Sequence, residues 1–281
     1  MESNVILFSY DPEVERVCAA SMRSCYSAHS SYDLFSLSDQ KPALPDDEKP
    51  FDDQRIRSLL RKALELEHMD IFEHGQLTFD LEHASRACTH QLVRHRLASF
   101  SQQSQRYVRI TRSRGYIKPP KIADDLSVPV QIRGARFEVN FDDAMDISRQ
   151  VEEGLLAMGI RAEDARYVRP NAAVTNIVTS MNPRQLLHVL ELRCAPDAQW
   201  EIRDLAWAMF ACAKLVAPNI FETLPSAASN SQVREKISKL DIAVKEARGR
   251  FAGSSKGELL EIPLSTVGLE HPVRAFVRKL Q

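Results

Sequence analysis

The sequence lacks the features of a membrane, secreted or disulfide-stapled protein. None of its apolar runs approaches the roughly 20 residues of a membrane span, and its N-terminal residues lack the basic start and apolar stretch of a signal peptide. Its five cysteines are an odd number, and no two form a Cys-x-x-Cys pair. Both facts argue against a disulfide framework or a structural zinc site. We therefore expect a cytoplasmic protein with no bound metal.

Acidic residues are missing from one long stretch, although the net charge of the whole chain is only −1. Residues 83–123 contain no Asp or Glu. An acid-free basic block favours an anionic ligand, which can be a phosphate, a nucleotide or a nucleic acid. The basic residues of this stretch are Arg86, Arg94, Arg96, Arg106, Arg109, Arg112, Arg114, Lys118 and Lys121.

The length and residue patterns predict a mixed α/β fold in which helix dominates. A chain of 281 residues suits one large domain or two modest ones. A Gly-x-Gly-x-x-Gly run is absent, which excludes only the Rossmann type of flavin or dinucleotide site. Alternation predicts a strand over 74–82, and few apolar residues predict a loop over 101–121. Helices are predicted over 84–96, 136–158, 182–193, 197–216 (capped by Asp197) and 229–250.

The run Arg94-His95-Arg96 and the polar segment after it are the first candidate site. Three consecutive helical residues fan out over roughly 200°, so they cannot share one face of a helix. They are either a basic helix end that complements the dipole, or side chains that surround a ligand after the helix stops. Residues 99–107 are either a solvated loop or a nucleotide cradle in which Ser104 and Arg106 bind phosphate.

Arg193 is the second candidate, because helical projection places it near the centre of an apolar stripe. An arginine that points toward a core needs an anionic or carbonyl partner, since leaving it unpaired costs several kcal/mol. It forms either a structural salt bridge, with Glu201 as a possible neighbour, or part of a ligand site. Arg184 and His188, four residues apart, share another face of the same helix, and a solvated polar ridge explains them equally well.

These motifs resemble those of flavin-dependent thymidylate synthases. The family pattern R-H-R-x-x-S-x-N-E-x-S-x-R-Y corresponds to RHRLASFSQQSQRY here, with seven residues between Arg96 and Ser104. Ser101 replaces the common Asn, and Gln102 replaces the common Glu. The segments VILFSYDPEVERVCAASMRSCYS, IFEHGQLTF and NPRQLLHVLELRCAPDAQWEIR also resemble the family, so that the likeness covers residues 4–27 and 71–216.

The resemblance implies the methylation of dUMP to dTMP. Methylenetetrahydrofolate would supply the carbon, FAD would carry the hydride, NADPH would be the reductant, and a homotetramer would share its active sites between subunits. Arg193 would be catalytic by holding the uracil ring in its ionised form. The implied cofactor-binding residues are His74, Gln76, Arg94, His95, Arg96, Gln102, Asn182, Pro183, Arg184 and His188, the last often Asn in the family. The implied substrate-binding residues are Gln91, Arg94, Gln102, Gln103, Ser104, Gln105, Arg106, Arg166 and Arg193.

Two other functions stay open at this stage. One is a nucleic-acid-binding protein that uses residues 86–121, although this segment lacks interleaved stacking aromatics. The other is an FAD-binding homologue without synthase activity, which the departures at Gln102 and His188 allow. We expect a catalytic domain over 1–220 and a helical C-terminal extension over 221–281 that packs on the same domain. We expect the five cysteines to be structural, and we expect no nucleic-acid partner and no membrane.

Overall fold

The computed structural model describes residues 2–36, 51–108 and 115–281, so that Arg109, Arg112 and Arg114 lie outside the described residues. Its strands are β1 (Ser3–Tyr10), β2 (Leu77–Ser85), β3 (Ser99–Gln102), β4 (Ser127–Ile132), β5 (Ala135–Asn140), β6 (Val174–Met181), β7 (Leu259–Ile262) and β8 (Val273–Arg278). Its helices are α1 (Val14–Ser24), α2 (Ser31–Ser36), α3 (Asp53–Glu65), α4 (Arg86–Leu92), α5 (Phe141–Ala157), α6 (Ala162–Ala165), α7 (Pro183–Arg193), α8 (Trp200–Val216) and α9 (Ser231–Gly253).

A mixed six-stranded sheet in the order β3-β6-β2-β1-β8-β7 forms the centre of the fold. Strands β1 and β8 pair in parallel, and the other neighbours are antiparallel. Strands β4 and β5 form a separate hairpin. The predicted mixed α/β class is therefore confirmed. No helix in the described part of the chain is long and apolar enough to span a membrane.

Helix α8 forms much of the core, because it carries apolar residues on every face. Leu205, Trp207 and Phe210 are at most 1% exposed, and the helix packs on β1, β2, β8 and α7. Trp200, at the first turn, is only partly buried. The helix is capped by the Gln199 side chain and not by Asp197, because Gln199 Oε1 accepts from two backbone N–H groups of the first turn.

The strand predicted over 74–82 is confirmed as β2, and its end directs the chain into α4. The alternation breaks at a bulge between Leu81 and Ala84, where His83 has a φ of 56°. Ser85 then caps α4, since its Oγ accepts from Cys88 N at 3.0 Å. Helix α4 ends at Leu92, so the helix predicted over 84–96 is too long and Arg94-His95-Arg96 lie beyond it.

Two further boundaries differ from the sequence patterns. The predicted helix over 136–158 begins only at Phe141, because the preceding residues form β5 and Asn140 caps α5 in a reciprocal capping box with Asp143. The predicted loop over 101–121 begins inside β3, which pairs with β6 from Ser99↔Ser180 to Gln102↔Ile177. Hydrophobic alternation does not reveal a short polar strand of this kind, because the strand forms only by pairing with β6.

Residues 221–281 contain more than the helical extension that the sequence suggested. Helix α9 lies there, but β7 and β8 follow it, and β8 pairs in parallel with β1 from Ser3↔Val273 to Leu7↔Val277. The C-terminal residues therefore supply two strands of the central sheet. A parallel partner so far away along the chain leaves no local signal, so the sequence pattern indicates only the helix.

Candidate active site

Helix α7 carries Arg193 as its last residue, and its start is fixed by local sequence. Asn182 Oδ1 accepts from Gln185 N at 2.8 Å, and Pro183 fills the first helical turn, where its missing N–H costs nothing. The predicted helix over 182–193 is thus confirmed. Its apolar face is buried, and the Arg193 side chain is partly buried.

Arg193 is held by two residues at the end of α4. Its Nε donates to His95 Nε2 at 3.1 Å, while Nη1 and Nη2 lie 3.5 and 3.4 Å from the side-chain and backbone oxygens of Gln91. The proposed salt bridge to Glu201 is wrong, because the Glu201 carboxylate accepts from the N–H and Oγ of Ser85. The contacts to Gln91 are at the long limit for hydrogen bonds, so the terminal nitrogens can accept a better partner.

His95 is a buried, neutral imidazole. Burial lowers its pKa to about 4, and the Arg193 and His188 charges act in the same direction. Because Nε2 accepts from Arg193, the single ring proton of the neutral form must be on Nδ1. The His188 ring meets it edge-on, with 6.1 Å between the ring centroids. Arg193, Gln91, His95 and His188 therefore form one cluster, here called the arginine-histidine cluster.

The polar segment, residues 99–107, is hydrogen-bonded to α4 and β6 through Gln102 and Gln103. Gln102 Nε2 donates to the Oγ1 of the buried Thr89 at 2.8 Å, which fixes the side chain that replaces the family's common Glu. Gln103 bonds to both backbone groups of Asn176 on β6. Helix α4 thus joins this segment to the arginine-histidine cluster, because Thr89 and Gln91 are two residues apart on it.

Ser104 and Arg106 lie in a single tight turn that we call the 104–108 turn. Arg106 N donates to Ser104 Oγ at 3.2 Å, and Val108 N donates to the Ser104 carbonyl at 2.9 Å. The Arg106 guanidinium lies 3.0 Å from a Glu163 carboxylate oxygen. Arg166 Nε donates to the Glu163 carbonyl, so two predicted phosphate ligands meet around one residue. Gln105 is partly buried in the same turn.

Further positive charge is concentrated beside this turn. Burial lowers the pKa of Arg86, and the neighbouring Arg166 and Arg169 lower it further. Like charges in a partly desolvated place repel, so this group of guanidiniums favours an anion between or beside them. The 104–108 turn together with Arg86 and Arg166 is therefore a second cluster, suited to a phosphate group.

The other candidate residues lie along the exposed face of α7 and the strand ends next to it. Arg184 is ion-paired with Glu73, and His188 is exposed. His74 and Gln76 are exposed at the start of β2. The pairing Leu77↔Met181 puts this start beside the first residues of α7, so the register brings Gln76 near Asn182.

Arg94 and Arg96 lie on the surface beyond α4. Both are exposed, and among the described residues neither guanidinium has a hydrogen-bonding or acidic partner. With His90 and Val93 they line an open groove. Unpaired guanidiniums beside a groove can hold a phosphate or a ring carbonyl.

The buried cysteines fit a structural role. Cys88 and Cys194 are at most 2% exposed, and burial raises the pKa of both thiols well above the usual value. A buried thiol with a raised pKa is a poor nucleophile. Within the described ranges, no three His, Cys, Asp or Glu side chains are grouped as a metal site requires.

Sequence reasoning missed two residues of this region and the role of a third. Thr89 fixes Gln102, Glu163 holds Arg106, and Glu201 anchors the cap of α4. Burial raises the pKa of Glu201, and its two bonds from Ser85 partly offset this effect. Each of these residues contacts a partner that is distant along the chain, so no local sequence pattern reveals its role.

Comparisons with known proteins agree on one family. A family profile described as "Thymidylate synthase complementing protein" matches residues 6–219. The flavin-dependent thymidylate synthase of Geobacter sulfurreducens is 39% identical over 220 residues, which are 77% of this chain and 84% of that protein. The enzyme of the same name from Clostridium tetani is 36% identical, over 79% of this chain and 86% of that protein.

A solved structure shares the fold. The UMP/dUMP methylase PolB from Streptomyces cacaoi, bound to 5-Br dUMP, superposes with a TM-score of 0.60 at 23% identity. The match covers 79% of this chain and 94% of that one. At this identity the likeness concerns the fold alone.

The fold and the two clusters define a mixed α/β protein with a cationic site. The extent of the profile match and of the relatives' alignments then identifies the family. The chain belongs to the flavin-dependent thymidylate synthases and is an enzyme of that type.

Proposed function

We propose that this protein methylates dUMP at C5 to give dTMP. Methylenetetrahydrofolate is the carbon donor, FAD the hydride carrier and NADPH the reductant. The observation that carries the proposal is the arginine-histidine cluster, in which a neutral imidazole fixes a half-buried guanidinium through Nε. The names of the relatives and the nucleotide bound to the Streptomyces cacaoi methylase support dUMP as the substrate.

Arg193 acts on the pyrimidine ring. The ring must gain electron density at C5 before it accepts a carbon, and loss of the N3 proton or charge on the adjacent carbonyl oxygen supplies that density. A fixed guanidinium stabilises such an anion more than the neutral ring, which lowers the barrier. Because His95 occupies Nε, the two terminal nitrogens remain for the ring, and the weak contacts to Gln91 are readily exchanged.

The phosphate of dUMP binds the second cluster in this proposal. Ser104, Arg106 and Arg166 provide the hydroxyl and the two guanidiniums, with Gln103 and Gln105 on either side of Ser104. Glu163 holds Arg106 when no nucleotide is bound, and the pair is exposed enough that it adds little stability. A phosphate dianion is the stronger partner for guanidinium, so it displaces the carboxylate.

The residues around α7 and beyond α4 fit FAD. A flavin dinucleotide carries two phosphates and a ring with carbonyl acceptors. The guanidiniums of Arg94 and Arg96, which have no partner among the described residues, suit both kinds of group. His74, Gln76, Asn182, Pro183 and Arg184 follow one another along the adjacent edge, together with His188 and Gln102. When bound, FAD supplies the hydride chemistry, while the protein contributes binding, orientation and electrostatics.

The two departures from the family pattern, Gln102 and His188, affect activity rather than the fold. Gln102 has its amide engaged by Thr89, so it keeps a fixed position but lacks the carboxylate charge. His188 contacts the ring of His95, which preserves its place in the cluster. A flavin-binding homologue without synthase activity is therefore the second candidate.

In the described part of the basic stretch, three cations are paired or partly buried, which weakens the nucleic-acid hypothesis. Arg86 is partly buried, Arg106 pairs with Glu163, and Lys118 pairs with Asp124. Nucleic-acid binding by surface charge requires a continuous exposed patch. Paired and buried cations favour a small, enclosed anion instead.

A homotetramer in the cytoplasm completes the proposal. Apolar side chains on the β4–β5 hairpin and α5 are between 44% and 53% exposed, an unusual concentration for a lone subunit: Val128, Ile132, Phe137, Ile147 and Val151. A second copy of the chain is the natural cover, and light scattering is expected to give about four times 31.8 kDa. The five free cysteines suit a reducing compartment.

One experiment separates the three functions. The purified protein is examined for a flavin spectrum, reconstituted with FAD, and supplied with dUMP, methylenetetrahydrofolate and NADPH, with omission of each as control. Flavin binding with dTMP formation that depends on all three supports the proposal. Flavin without dTMP indicates the inactive homologue, and a colourless protein that takes up no FAD refutes both.

A further inference from the structure

A buried ion pair lies directly behind the phosphate cluster. Glu152 on α5 and Arg169, just after the 3-10 turn Arg166–Val168, have side chains that are only 7% and 4% exposed. Arg169 Nε lies 2.7 Å from both carboxylate oxygens, and Nη2 reaches one of them as well. The two charged groups are therefore removed from water and held in a fixed, forked geometry.

The same guanidinium makes a further bond to the 104–108 turn. Arg169 Nη1 donates to the Val108 carbonyl at 3.2 Å, and Val108 closes the turn through its bond to Ser104. Arg169 N donates to the Arg166 carbonyl at 3.0 Å, which closes the turn that carries Arg166. One residue thus connects α5 with both segments that bear predicted phosphate ligands.

Stability alone does not explain this arrangement. Apolar residues of similar volume usually stabilise a fold as well as a buried ion pair does, because burying the charges is costly. What a guanidinium adds is direction, since its planar fork fixes two partners at once. The Glu152 carboxylate also compensates the charge of Arg169, so Arg106, Arg166 and Arg86 are the cations left for a ligand.

We propose that Arg169 is a positioning residue for the substrate phosphate, and that Glu152 holds Arg169 in place. Through the Val108 carbonyl, Arg169 sets the position of the 104–108 turn, and hence of Ser104 and Arg106. The inference rests on the proposed function, because it requires dUMP to bind through this turn. Arg169 touches no reacting atom, so its effect falls on nucleotide binding and not on the chemical step.

Three variants of the FAD-reconstituted enzyme test the proposal. Arg169→Leu leaves Glu152 buried without a partner, so both a lower Tm and a KM for dUMP raised at least tenfold are expected. The double variant Arg169→Leu/Glu152→Leu removes both charges, so its Tm recovers toward that of the wild type while its KM stays raised. In both variants kcat at saturating dUMP is expected to stay within about threefold of the wild type.

Lys214→Leu is the matched control. Lys214 is another buried cation that bonds to a carboxylate, that of Asp241, and to a backbone carbonyl, that of Glu222, at the far end of α8. Its loss lowers Tm without changing the KM for dUMP. A double variant at Arg169 and Glu152 with wild-type KM overturns the inference while the proposed function stands. If the wild-type enzyme forms no dTMP, both the proposed function and this inference are refuted.

Discussion

Replacing His95 tests whether the fixed orientation of Arg193 matters for the reaction. In His95→Ala, Arg193 Nε loses its acceptor and the guanidinium gains freedom to turn. A hydrogen bond to a charged group contributes about 1.5–3 kcal/mol, which corresponds to about 10- to 150-fold in rate if the bond is needed only to orient Arg193 in the transition state. His95→Gln supplies another acceptor, so its rate is expected to fall by less than about tenfold.

Anaerobic stopped-flow measurement of the two half-reactions is the assay. His95→Ala is expected to slow the oxidation of reduced flavin by dUMP and methylenetetrahydrofolate, after flavin content has been equalised. His271→Ala is the control, because His271 is also buried with a pKa lowered to about 4 but bonds to Ser3 on β1 and not to Arg193. If His95→Ala oxidises its flavin at the wild-type rate, the imidazole does not orient Arg193.

The same histidine predicts the direction of the pH dependence of stability. The folded-state pKa of His95 is about 4, below its usual value of 6.5, so the unfolded chain binds more protons between these values. Stability from this site is complete above about pH 6.5 and is lost as the pH falls toward 4. His271 acts in the same window, and His271→Ala is expected to flatten the dependence of Tm on pH there.

Three further variants probe the fold and the site. Gly75→Ala is expected to destabilise by about 1–3 kcal/mol in thermal unfolding, because φ is +82° and the new Cβ would lie 2.6 Å from Val14 Cγ2; Val14→Ala is expected to recover part of the loss. Arg106→Ala is expected to raise the KM for dUMP and spare much of kcat, and an abolished kcat with unchanged KM would contradict its role as a phosphate ligand. Cys194→Ala or Cys88→Ala is expected to keep dTMP formation within about tenfold, and complete loss of turnover with fold and flavin intact would reveal a missed nucleophile.

The elements that the sequence predicted correctly are those fixed by local rules. Helix α7 begins where an Asn cap and Pro183 require it, and β2 alternates in burial from Leu77 to Glu82. Strands β3 and β8 were missed because distant partners create them, and β5 was absorbed into a helix because only its end carries a capping box. Local propensity describes neither case.

In the site too, features fixed by local sequence were predicted, and contacts between distant segments were not. The inward position of Arg193 follows from helix periodicity alone, but its partner does not, and Glu201 was the wrong candidate. The pairs Arg106–Glu163 and Arg169–Glu152 join segments whose approach depends on the packing of α5 and α6 near the 104–108 turn. Ion pairs of this kind have no signature in the sequence of either partner.

The central claim is that Arg193 stabilises the anionic pyrimidine, and Arg193→Lys tests it most directly. Lysine keeps the charge but lacks the planar fork, so it cannot present two coplanar donors to the ring while it bonds to His95. The variant is expected to fold, bind FAD and be reduced by NADPH at a normal rate, while oxidation of its flavin by dUMP and methylenetetrahydrofolate slows by roughly 100-fold or more, the scale of one lost preorganised donor. Failed flavin reduction with an intact dUMP-dependent step would instead assign Arg193 to the cofactor site and contradict the account.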